Sequence, residues 1–192
     1  MEILLGLAIG MGLSAACGFR VFVPLLGLSL AAMIGHLNLS SGFEWIGSWP
    51  ALVAFGTATI FEIGAYYIPL LDHLIDTLTT PAAVVAGTIM TASLVTDLSP
   101  FLKWTLALIA GGGVAGLVQT GSVFLRGAST AATGGFGNFL VSTGEIFGSI
   151  LTTLLALILP ILGLWVVILL CGLIVARWVR VKHKHPSRTK HS

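Results

Sequence analysis

Four charged residues stand inside otherwise apolar stretches of this 192-residue chain: Arg20, Glu62, Arg126 and Glu145. An ionisable group at membrane depth costs about 2.5 kcal/mol or more, so it normally faces a bundle interior or a wet cavity and marks an ion or substrate path. A carboxylate at Glu62 suits reversible proton uptake, and the guanidinium groups of Arg20 and Arg126 suit a carboxylate or phosphate. The competing account is internal neutralisation, Arg20 against Glu62 and Arg126 against Glu145, because buried charges are normally paired. At about 100° per residue, Glu62, Tyr66, Pro69, His73 and Asp76 fall on one helix face with Asp72 at its edge, a polar stripe running outward from the midplane.

Each of the two arginines adjoins an interruption. The first is Cys17-Gly18-Phe19-Arg20 with Pro24; the second runs from Gly127 to Asn138 and contains Gly134, Gly135 and Gly137, with Pro160 further on. Ser14-Ala15-Ala16-Cys17-Gly18-Phe19 aligns with Thr130-Ala131-Ala132-Thr133-Gly134-Gly135-Phe136 if one glycine is inserted. Paired interrupted helices in two halves are the sequence-level pointer to an inverted-repeat transporter site. Other chemistry is not signalled. The glycine-rich stretch lacks the Lys-Ser/Thr ending of a P-loop, and no hydrolase elbow or zinc-binding HExxH occurs, so no cofactor, metal or enzymatic activity is expected.

The elements that must position these residues follow from composition. With 56% hydrophobic and 8% charged residues and a mean hydropathy of +1.04, the chain departs from the roughly 25% charge of soluble domains, which excludes a soluble enzyme. It reads as an all-α polytopic transmembrane helix bundle. Spans are expected at Pro50 to Leu71, Pro81 to Val95, Phe101 to about Phe124, and about Thr153 to Trp178. Ile3 to His36 and Asn138 to Trp178 are too long for one crossing, about 51 and 60 Å as helices, and so must be broken, tilted or re-entrant. Irregular backbone at that depth survives only inside protein or along a water-filled cavity.

Six of the nine Lys and Arg lie in the last 16 residues, leaving 3 − 7 = −4 for residues 1–176. A transmembrane domain at 1–178 followed by a basic tail at 179–192 is the expected organisation. The positive-inside rule makes that tail cytoplasmic, with anionic lipid headgroups as its partners rather than nucleic acid. Counting spans back from it puts the Gly127 to Asn138 break outside, Lys103 inside and the Asp72 to Asp76 loop outside; for the two breaks to be inverted, Gly18 must approach from the inside, which places the N-terminus outside. A bacterial inner membrane is the expected location, and a homo-oligomer is allowed.

The sequence Gly-Leu-Ser-Ala-Ala-Cys-Gly-Phe-Arg-Val-Phe-Val-Pro at residues 12–24, Phe61-Glu62, Ala65-Tyr66-Tyr67-Ile68-Pro69, Asp72, Asp76 and Thr80-Pro81-Ala82 carry a resemblance over nearly the whole chain. They resemble the domain-of-unknown-function family 4126, small bacterial integral membrane proteins with no assigned activity. The resemblance implies a multi-pass membrane protein and supplies no substrate. That family continues with proline after the position of Asn138, where this chain has Phe139, which implies a gentler second bend. The functional expectation is a small secondary transporter or channel-like translocator of an ion, small anionic solute or lipid phosphate. A non-transporting scaffold and, behind it, a lipid-directed membrane enzyme are the alternatives. The path residues expected are Glu62, Tyr66, Arg20, Arg126, Glu145, Asp72, Asp76 and Asn138, with backbone breaks at Gly18, Gly134, Gly135 and Gly137.

Overall fold

A computed structural model describes residues 2–66, 69–96 and 98–184, and the side chains of 3–66, 77–96, 98–177, 179 and 180. Helices account for nearly all of the described chain: α1 (Glu2–Cys17), α2 (Phe22–Met33), α3 (Trp49–Ala65), α4 (Pro69–Leu94), α5 (Pro100–Leu106), α6 (Gly113–Thr133), α7 (Asn138–Ile158) and α8 (Pro160–Lys184). A π-helical segment, Ala107–Gly112, joins α5 to α6 without a break. Among the described residues, four stretches are long and apolar enough to cross a membrane: Thr77–Leu94, Pro100–Thr133, Asn138–Ile158 and Pro160–Arg177. The chain is a membrane protein with an all-α bundle.

Local chemistry sets the helix starts. Ser48 caps α3, its side chain accepting from the Ala51 N–H, with Pro50 in the first turn where a missing N–H costs nothing. Ser99 and Pro100 begin α5 in the same way.

Cross-helix contacts fix the directions. Along α1 the residues Gly6, Gly10 and Ser14 meet Leu94, Thr91 and Gly87 in turn, so α4 runs antiparallel to α1. The approach is close: the Ser14 hydroxyl donates to the Gly87 carbonyl at 2.7 Å, and a Cβ at Gly111 would strike the Gly87 carbonyl oxygen. Small residues let these backbones meet, as in membrane helix pairs generally. On α7, Ala156 lies beside Gly12 and Ser149 donates to the Ala16 carbonyl, whereas Gly27 of α2 faces Thr153. Helix α1 is therefore antiparallel to α7 and α2 is parallel to it, so α1 and α2 form a hairpin. Val167 packs with Val114 and Val118, and Ile174 lies on Gly121, so α8 descends alongside α6.

The bundle thus has a head end, holding the start of α1, the loop over 34–48, Lys103 and Leu159, and a tail end towards which α8 runs. This geometry revises several expectations. Asn138 to Trp178 is not one long span, because it folds back at Leu159-Pro160 and each half is long enough to cross. That extra crossing moves the second break to the tail end, and it leaves Lys103 at the opposite end from Arg177. Helix α3 stops at Ala65 with Tyr66 as its C-cap, so the stripe from Glu62 to Asp76 does not lie on one helix. Helix α4 begins at Pro69 instead of Pro81, which sits inside it. Its first turns, bearing Asp72 and Asp76, share the tail end, although those two side chains lie outside the described residues. Gly127 is helical, and the second break shrinks to Gly134–Gly137. Both hairpin tips, α1–α2 and α6–α7, point towards the tail end, so the two breaks are related by a parallel rather than an inverted arrangement.

Candidate functional site

The tip of the α1–α2 hairpin gathers the charges. Gly18 packs against Val118, where a Cβ would meet the Ala115 carbonyl oxygen at 2.7 Å and the Gln119 nitrogen at 2.9 Å. Val118 lies about 21 Å along its helix from Trp104, so the tip sits on the tail side of the bundle's middle. Four residues later α2 is under way, and its first N–H groups have no partner within the helix. Glu62 of α3 supplies one: the Val21 N–H donates to Oε1 at 2.7 Å and the Phe22 N–H to Oε2 at 3.0 Å. A carboxylate against a helix N-terminus is favoured by hydrogen bonding and by the macrodipole together.

Glu62 therefore does not pair with Arg20. Arg20 instead reaches α7, where Nη2 donates to the Ser142 carbonyl at 3.1 Å and stands 3.3 Å from Glu145 Oε2. The reason is direction: α2 and α7 run parallel and present Arg20 to the turn holding Ser142 and Glu145, while the backbone amides nearer Glu62 occupy both of its oxygens. The expected Arg126–Glu145 pair is present. Arg126 Nε donates to Oε1 at 3.1 Å, and Nη2 bonds Oε2, a bidentate contact. Glu145 is thus shared by two guanidinium groups.

Tyr66 completes the cluster from the C-terminus of α3. The guanidinium carbons of Arg20 and Arg126 lie 3.7 and 4.0 Å from its ring centroid, within the range of cation–π attraction. Its hydroxyl is 3.0 Å from Thr79 Oγ1, which also accepts from Gln119 Nε2 at 3.1 Å. All five residues, Arg20, Glu62, Tyr66, Arg126 and Glu145, are buried. Arg20 is only 1% exposed, yet its Nε and Nη1 have no hydrogen-bond partner among the described residues.

Other expected site residues are elsewhere. Asn138 opens α7 and donates to Thr130 Oγ1 at 3.0 Å, tying the two ends of the α6–α7 turn. Gly134 and Gly135 take positive φ, 63° and 99°, at the C-terminus of α6, and a side chain added at either would meet open space. Gly18 is packed against α6, Gly137 lies against Ser129 and Thr133, and Gly134 and Gly135 face open space, so the four glycines have different surroundings. Among the described residues no group of three or more His, Cys, Asp and Glu could hold a metal.

Several members of the site were not foreseen. The Ser142 carbonyl and the amides of Val21 and Phe22 are backbone groups and carry no sequence signal. Gln119 could have been found, as an amide inside an apolar span asks for a partner.

A family model described as a domain of unknown function (DUF4126) matches residues 7–180. No curated protein and no solved structure matches the chain.

Proposed function

This chain belongs to that family, whose description carries no activity, and we propose from the site itself that it is a small secondary transporter or channel-like translocator of an anionic solute or lipid phosphate, held here with its site closed. The observation that carries the reading is Arg20. Its Nε and Nη1 donors are buried and unanswered, and each unmade hydrogen bond of this kind costs about 1–3 kcal/mol. An incoming carboxylate or phosphate would answer one of them, since Nε–H and Nη1–H leave different edges of the guanidinium and do not form one bidentate pair.

In this reading Arg20 and Arg126 bind the anion, and Glu145 is the internal counter-anion that gives way to it. Tyr66 is the platform on which both guanidinium groups rest. Glu62 is the latch on the start of α2, and its carboxylate is where a coupling proton would act. The α1–α2 hairpin enters and leaves on the head side, a re-entrant arrangement whose tip is sheltered by α3, α6 and α7. Asp72 and Asp76 would lie at the tail-side mouth. Positive charge after Arg177 supports a cytoplasmic tail in a bacterial inner membrane. The work assigned to these residues is binding and passage, not bond-making.

Charge balance favours a second reading, a non-transporting scaffold: two arginines face two glutamates, and both acids are already answered inside the bundle. Proteoliposomes loaded with a pH- or potential-sensitive dye and challenged with gradients of phosphate, acetate or chloride distinguish the two. A flux for at least one anion that falls at least about tenfold in Arg20→Gln, with melting unchanged or raised, supports translocation. Wild-type protein, correctly folded, that passes none of the three would favour the scaffold. So would an Arg20→Gln variant that loses melting temperature and changes no flux.

A further inference from the structure

An apolar groove of about 360 Å³ runs along the flank of the bundle between α6 and α8. Val118 and Leu125 form one wall, Leu170 and Leu173 the other; Phe19 of the hairpin tip lies within it and Arg177 closes its tail end. Leu125, Leu173 and Arg177 are exposed, as is Arg180, three residues on and therefore on the same helix side. Both walls belong to helices long and apolar enough to cross a membrane, so the groove opens to hydrocarbon. Water gains little from such a lining, whereas an acyl chain fits it, and two guanidinium groups at its tail end match a phosphate in charge and geometry.

We infer that this groove holds one acyl chain of an anionic glycerophospholipid, with its phosphate clasped by Arg177 and Arg180. The chain lies against Phe19, next to Arg20, so the lipid buttresses the hairpin tip from outside. The site is independent of whether any anion crosses at Arg20.

The test uses the full chain in nanodiscs of phosphatidylglycerol or of phosphatidylcholine, with native mass spectrometry to count retained lipid and thermal melting as the second readout. Wild type is expected to retain one phosphatidylglycerol with a preference of about tenfold over phosphatidylcholine, and to melt higher with it. Arg177→Gln with Arg180→Gln should abolish the preference. Thr120→Trp or Leu173→Trp, each filling the groove with the arginines intact, should abolish retention itself; using both guards against one failing to fold. An unchanged preference in the double arginine variant, or full retention in a folded groove-filled variant, would overturn the proposal. Cross-linking between two copies carrying Thr120→Cys would assign the groove to a second copy and overturn it too.

Discussion

The two hairpin tips invite comparison because their sequences are so alike and their surroundings so different. At Gly18 the chain turns without leaving ordinary backbone space, and glycine is needed there because α6 leaves no room for a Cβ. At Gly134 and Gly135 the neighbourhood is open and glycine is needed for the opposite reason, since the backbone itself takes positive φ. Phe19 is partly covered by α6 and α8, whereas Phe136 is 91% exposed. A small-residue break thus says that a helix stops, and the lengths of the neighbouring helices decide whether the stop is sealed in protein. Among the described residues, the sealed tip is the one set among charges.

The largest effect should come from the group that serves the sealed tip. Glu145→Gln leaves Arg20 and Arg126 facing each other across Tyr66 without their shared acid, and breaking a buried pair in this way costs about 3–5 kcal/mol. Melting in detergent, with Arg20→Gln added as a partial rescue, measures it. A loss below about 1 kcal/mol would mean that solvent reaches the cluster.

Next comes Gly18→Leu, which must displace backbone of α6 and should cost about 3 kcal/mol. Gly134→Ala should cost less, about 1 kcal/mol for a left-handed residue gaining a Cβ, with nothing to collide with. If Gly134→Ala proves the more damaging of the two, the contrast between a packed tip and an open turn fails.

The membrane class, the family resemblance and the residues of the cluster could be read from the sequence because each rests on composition or on a charge in an apolar run. Arg126–Glu145 was within reach of a pairing argument, while Arg20–Glu62 misled, since both oxygens of Glu62 are taken by the Val21 and Phe22 amides, which any residue type except proline would offer. The topology was lost at one place. Leu159 has φ −132° and ψ 68°, a reversal that Pro160 alone does not distinguish from a kink in a longer helix. Missing that crossing reversed the side assigned to Lys103 and to the second break relative to the tail. Pro81 misled in the other direction, read as a helix start although α4 carries it internally.

The π-helical segment Ala107–Gly112 has a bearing on how this chain tolerates insertion and deletion. A π-turn carries one residue more than an α-turn over the same stretch, so it works as a register setter for everything that follows. Removing a single residue there would restore regular α-helix from Pro100 to Thr133 with the rest of α6 in nearly its present phase, because the π-turn already absorbs the extra residue. One residue removed from the regular part of α6 ahead of Arg126 would instead turn everything beyond it by about 100° and swing Arg126 away from Glu145. Ala107–Gly112 is thus a place where the chain can shed a residue and keep its charge cluster.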